Sequence, residues 1–114
     1  MLHRLCMAAA ATLLAAGAAY ADPIEGNWMT DRGSIAAITP CGASFCIKLT
    51  SGKFAGKAIG KLKADGGNRY SGSITDPETD KTYSGKGALA GNALKMSGCV
   101  LGGLICRSQN WQRQ

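Results

Sequence analysis

Four cysteines in two close pairs, Cys41 with Cys46 and Cys99 with Cys106, and three carboxylates at alternate positions, Asp76, Glu78 and Asp80, are where this 114-residue chain could do chemistry. The carboxylate spacing matches the start of a calcium loop. Lys81, however, stands where that loop needs glycine, and Gly87 stands where it needs the bidentate acid. The segment therefore reads as a proline-containing turn in which Asp76 accepts backbone hydrogen bonds and Lys81 offsets the charge. Paired-carboxylate hydrolysis needs two acids facing each other across a cleft, which one loop does not provide. The one histidine, His3, lies in the N-terminal leader, so the rest of the chain lacks the commonest general base and metal ligand. No catalytic residue, metal site or cofactor is expected, and no enzymatic activity.

The leader itself, residues 1–21, has a short basic start at His3 and Arg4, an apolar stretch, and the small-residue ending Ala19-Tyr20-Ala21. That pattern predicts a cleaved export signal. Its apolar stretch is shorter than the roughly 20 residues needed to cross a bilayer as a helix. The expected product is one domain, residues 22–114, periplasmic or secreted and not membrane-spanning. Its four cysteines are an even number in an oxidising compartment, so two disulfides are expected. Three connectivities are possible, and Cys41–Cys46 with Cys99–Cys106 is favoured because each pair brackets a short excursion. Bridges closing loops this small contribute about 2 kcal/mol each, so they shape loops more than they hold the fold. A zinc knuckle is disfavoured by the spacings of four and six intervening residues.

Without the leader, 12 Lys and Arg face seven acids, a net charge of +5. Such a balance favours anionic partners and says nothing about fold. Lys48, Lys53, Lys57, Lys61 and Lys63 concentrate the charge, with few aromatics between them, and read as a solvated face. No nucleic-acid partner is expected, since single-strand binders interleave stacking aromatics with their cations.

The elements that must position these residues are all strands. No stretch of ten residues shows helical periodicity, and glycines are scattered among short alternating runs. Seven or eight strands are predicted, with candidates at 26–30, 34–39, 45–50, 57–64, 69–75, 82–90, 93–98 and 106–112. The alternation is clearest in Tyr70, Gly72 and Ile74, then in Tyr83, Gly85, Gly87 and Leu89, and continues in Leu94 and Met96. Asp31-Arg32-Gly33, Asp65 to Asn68, Asp76 to Asp80 and Ala90-Gly91-Asn92 suit tight connections. Short links between successive strands make an antiparallel up-and-down meander, and closing it into a small barrel removes its edges. About eight strands enclose just enough space for side chains or one small ligand. Tyr70, Tyr83, Leu89 and Met96 are the candidate interior, ligand-binding residues. The glycines at 72, 85 and 87 either leave space there or permit sharp strand coiling.

Asp22-Pro-Ile-Glu-Gly-Asn-Trp-Met-Thr-Asp, Cys41-Gly…Cys46, Asp76-Pro-Glu-Thr-Asp-Lys-Thr-Tyr-Ser-Gly and the segment 98–113 occur in that order. Together they resemble the bacterial domain-of-unknown-function family 2147, over nearly all of residues 22–114. The resemblance implies a secreted or periplasmic bacterial protein with a lipocalin-like, or calycin-like, barrel. Typical members carry a longer insertion before the Asp-Pro-Glu motif, where this chain has a short lysine-rich stretch, Lys53 to Arg69. They usually have a tyrosine where this chain has Thr75. Barrels of that kind often close one end with a tryptophan under an arginine, which assigns Trp28, with either Arg107 or Arg113, to a structural plug.

Two functions follow as expectations. One is non-catalytic binding of a small apolar or amphipathic ligand inside the barrel. The other is contact between a basic outer surface and an anionic envelope component. A monomer is expected in either case.

Overall fold

A computed structural model describes residues 22–114; the expected export signal, with His3 and Cys6, lies outside the described residues. Eight strands form: β1 (Gly26–Met29), β2 (Ile35–Cys41), β3 (Ser44–Leu49), β4 (Ala58–Gly66), β5 (Arg69–Thr75), β6 (Thr82–Ala90), β7 (Ala93–Val100) and β8 (Ile105–Arg113). A single 3-10 turn, Leu101–Gly103, joins the last two. Each predicted strand is present. β2 and β7 run on to Cys41 and Val100, where cysteine-closed hairpins carry the ladder beyond the visible alternation.

Each strand pairs antiparallel with the next, and β8 returns to β1, so the sheet is a closed barrel. The β8–β1 seam is the shortest ladder, with only Trp28 opposite Arg113 and Met29 opposite Gln112. Up-and-down order places alternate connections at opposite ends. The mouth gathers the loops 30–34, 50–57, 76–81 and 101–104, while the base gathers the tight turns 42–43, 67–68 and 91–92. Gly42, Gly67 and Gly91 adopt positive φ in those base turns.

Inward positions follow the alternation read from the sequence. The largest fully buried side chains are Trp28, Ile24, Ile38, Ile47, Leu62 and Leu94. Burying each contributes roughly 1.5–3 kcal/mol. Gly72 lies opposite Leu62 on β4 and Gly85 on β6. A Cβ at Gly72 would fall 2.0 Å from the Lys61 carbonyl oxygen, and one at Gly85 would fall 3.0 Å from the Ser73 backbone. At Gly72 and Gly85 the structure selects coiling, because neighbouring backbone occupies the space a side chain would need; a Cβ at Gly87 would meet only side chains, at 3.5 Å or more.

Candidate functional site

The base of the barrel is closed by the segment 22–25 and by Arg113. Ile24 is fully buried beneath this cap, and its carbonyl accepts a hydrogen bond from the Trp28 indole Nε1 at 2.9 Å. The Arg113 guanidinium lies 4.3 Å above the Trp28 ring centre. Its Nη2 donates to the Pro23 carbonyl at 2.6 Å, Nη1 to the Glu25 carbonyl at 3.2 Å, and Nε to Asn92 Oδ1 at 3.2 Å. The planar fork thus ties the first described residues to the β6–β7 turn and stacks on the buried indole, a combination lysine cannot reproduce. Asp22 adds a second tie, its Oδ1 accepting from the Ile24 amide and from the Tyr70 hydroxyl. Burial above all, then that hydrogen bond and the nearby Asp22 charge, push the Tyr70 hydroxyl well above the ordinary tyrosine range.

The mouth is built differently. Between the walls of the barrel it holds a cavity of about 460 Å³, within the roughly 300–1,000 Å³ range of small-molecule sites. Its lining is layered. Leu49, Ile59, Ile74, Tyr83, Met96 and Trp111 form the apolar body, with Met96 and Trp111 buried at its floor. Thr30, Ser34 and Gln109 supply polar groups, and Arg32 and Arg107 bring guanidinium groups to the lining. The Trp111 Nε1 is satisfied by Gln109 Oε1 at 2.9 Å, so the indole presents ring surface rather than an orphan donor. Alternation explains the set on β8: Ile105, Arg107, Gln109, Trp111 and Arg113 share the inward face.

Ion pairs steady three of the mouth loops. Arg32 Nη1 donates to Glu78 Oε1 at 3.0 Å, and Lys57 pairs with Asp80 while also donating to the Pro77 carbonyl at 3.3 Å. Asp76 Oδ1 accepts the Glu78 amide at 2.9 Å, the turn bond expected of it. The charge of this acidic turn is offset by Arg32 and Lys57 from neighbouring loops rather than by Lys81. The three carboxylates face different partners instead of one centre. Arg107 has no acidic partner among the described residues and is exposed, so its guanidinium offers a fork suited to a carboxylate, sulfate or phosphate.

The predicted interior residues divide between the two ends. Tyr83 and Met96 line the cavity, whereas Tyr70 and Leu89 pack in the basal half and touch no part of it. β5 starts and β6 ends at the base, and alternation alone does not tell which end of a strand lies deep. The plug is likewise made by Arg113; Arg107 is at the opposite end. Six residues along one strand span about 20 Å, so the two arginines could never share a position. Leu49, Ile59, Gln109 and Arg32 were not found from the sequence, and Ile74, which shares the alternating face of Tyr70 and Gly72, was not among the candidate ligand-binding residues. Extending the period-2 count from Trp111 back to Ile105 would have found the β8 members. Arg32 sits in a loop and carries no such signal. The four cysteines form the favoured pairs, Cys41–Cys46 with an S–S distance of 2.01 Å and Cys99–Cys106 with 2.10 Å. Among the described residues no helix is long and apolar enough to cross a membrane.

One protein family matches the chain, over residues 54–113 and thus just over half its length: "Uncharacterized protein conserved in bacteria (DUF2147)". The matched stretch runs from the β3–β4 loop through β8, so the motifs at 22–31 and 41–46 lie outside it. No curated protein and no solved structure matches significantly.

Proposed function

The chain belongs to this bacterial DUF2147 family, and we propose that it is an exported, non-catalytic carrier that holds one small amphipathic molecule in the mouth of its barrel. The observation that carries this reading is the layered cavity of about 460 Å³, apolar below and bearing the Arg107 guanidinium, without an acidic partner among the described residues, in its lining. An apolar tail would rest on Met96 and Trp111 and against Tyr83, while an anionic head would meet Arg107. Export to the periplasm or beyond is supported by the leader pattern and by the two disulfides.

Titration with a dansylated fatty acid, followed by displacement with unlabelled decanoate, tests it. Saturable one-to-one binding is expected, weakened by about tenfold or more in Arg107→Ala, the loss of one charge-assisted pair. Binding that is absent, or indifferent to both Arg107→Ala and Met96→Asp, would refute the carrier.

A second reading is favoured by the outer wall. Lys61, Lys63, Lys86 and Lys95 project from exposed positions on β4, β6 and β7, interleaved with Ser71, Ser73, Ser84 and Ser97. This surface would meet an anionic envelope polymer, with an affinity that falls steeply with salt and ignores Arg107→Ala.

A further inference from the structure

The β7–β8 connection departs from the other three mouth loops. Val100, Leu101, Leu104 and Ile105 are its large side chains, and they stand 40%, 68%, 85% and 55% exposed. They are the only exposed large hydrophobics among the described residues, and they lie together on one hairpin. Clustered apolar exposure of this kind marks an interaction surface rather than ordinary surface composition.

Leu101 sharpens the point. Its φ is +54°, a left-handed conformation that glycine or asparagine adopts cheaply and a bulky side chain does not. A leucine is held there, mostly in solvent, at a cost in both backbone strain and hydration. The cross-strand Cys99–Cys106 disulfide closes the base of the excursion, so the tip is held in a defined shape before any partner arrives.

Charge identifies the partner. The three other mouth loops balance, Asp31, Asp76, Glu78 and Asp80 against Arg32, Lys53, Lys57 and Lys81. The hairpin itself carries no acid, so the surplus beside it comes from Lys86 and Arg107; Lys95 and Arg113 stand toward the base. Lys86 Nζ lies 4.0 Å from where a Cβ would stand on Gly103, and Arg107 stands two residues beyond Ile105, just after the bridged Cys106. An apolar tip framed by cations matches a bilayer interface with anionic headgroups, where leucines enter the acyl boundary and lysines meet phosphates. A second copy of this chain would bring the same cations face to face.

We propose that the hairpin 100–105 is a wedge that docks the barrel mouth on an anionic lipid surface. Val100 and Ile105 also line the cavity, so docking would place the mouth against the bilayer, where an amphipathic ligand could pass between membrane and barrel. The contact itself stands without the carrier reading, which supplies only its purpose.

The test is co-sedimentation of the protein, recovered after export with both disulfides formed, with phosphatidylcholine vesicles containing or lacking phosphatidylglycerol. It compares the natural chain with Leu101→Asn/Leu104→Ser. The natural chain is expected to partition onto the anionic vesicles and to be released by salt. The double variant should bind about tenfold or more weakly while melting no lower, because asparagine tolerates the backbone at 101. Equal partition of the two proteins overturns the proposal, as does failure of the natural chain to bind. Self-association of the natural chain that the variant abolishes also overturns it and assigns the wedge to a second copy. Dansylated fatty acid binding is measured on both proteins. Its loss with vesicle binding intact sinks the carrier alone, and its retention without vesicle binding sinks the wedge alone.

Discussion

Replacing Arg113 tests the basal cap most directly, because one side chain carries four separable contacts. Arg113→Ala removes a cation–π stack on a buried indole, about 1 kcal/mol at its partly exposed position. It also removes two hydrogen bonds to carbonyls and one to Asn92, roughly 0.5–1 kcal/mol each where solvent competes. The freed carbonyls of Pro23 and Glu25 can turn to water, so no orphan-acceptor penalty is added. The sum is about 3 kcal/mol. For a barrel of this size each kcal/mol moves the melting temperature by roughly 4–8 °C, so a fall of about 12–24 °C is expected. Arg113→Lys keeps the charge but loses the fork, and should lose about 2 kcal/mol. Thermal and urea unfolding of the oxidised protein, followed by near-ultraviolet dichroism, reads both global stability and the Trp28 environment. An Arg113→Ala protein melting within about 2 °C of the natural chain would refute the cap, and an Arg113→Lys protein indistinguishable from the natural chain would refute the argument from fork geometry.

Gly72→Ala should prove more damaging than its one added methyl suggests, since the new Cβ meets the Lys61 carbonyl of an adjacent strand and only backbone movement relieves it. A loss of about 2–3 kcal/mol is expected in urea unfolding, and a loss under about 0.5 kcal/mol would show that the sheet is less tightly coiled there. The Tyr70 hydroxyl titrates above its usual range when folded. Folding therefore favours its neutral form, and this contribution is complete below about pH 10 and lost as pH rises through the folded value. Tyr70→Phe should flatten the decline of stability above pH 10, which alkaline urea titrations of the two proteins would reveal; parallel declines would count against the linkage.

Strand number, order and sidedness were legible because each follows from local rules: period-2 alternation, glycine-rich turns and the absence of helical periodicity. The disulfide pairing was legible for the same reason, since each bridge closes a hairpin. The cavity was only half legible. Tyr83 and Met96 were recognised as facing inward, and so were Tyr70 and Leu89, but depth along the barrel depends on which end each strand starts from and on what covers that end. The cover is made by Ile24, Trp28 and Arg113, which meet across most of the chain's length. The choice between Arg107 and Arg113 turned on a single register, Trp28 opposite Arg113, that no local pattern encodes. Arg32 and the Lys57–Asp80 pair were invisible because loops bring them together. Leu101 to Leu104 were read as part of a short cysteine-closed loop, and their exposure became apparent only once Cys99 and Cys106 were placed at the rim.

The brevity of the β8–β1 seam bears on how the barrel forms and fails. Seven of its eight strand pairings join neighbours in sequence and can assemble as hairpins, at little cost in chain entropy. The eighth must bring together groups such as Arg113 and the Glu25 carbonyl, 88 residues apart, and gains only two ladder positions in return. Closure of that kind is expected late in folding, which φ-values near zero for substitutions at Trp28 and Arg113 would check. On that ordering the Trp28–Arg113 contact is a latch: its loss should speed opening of the native barrel and leave the rate of its formation almost unchanged.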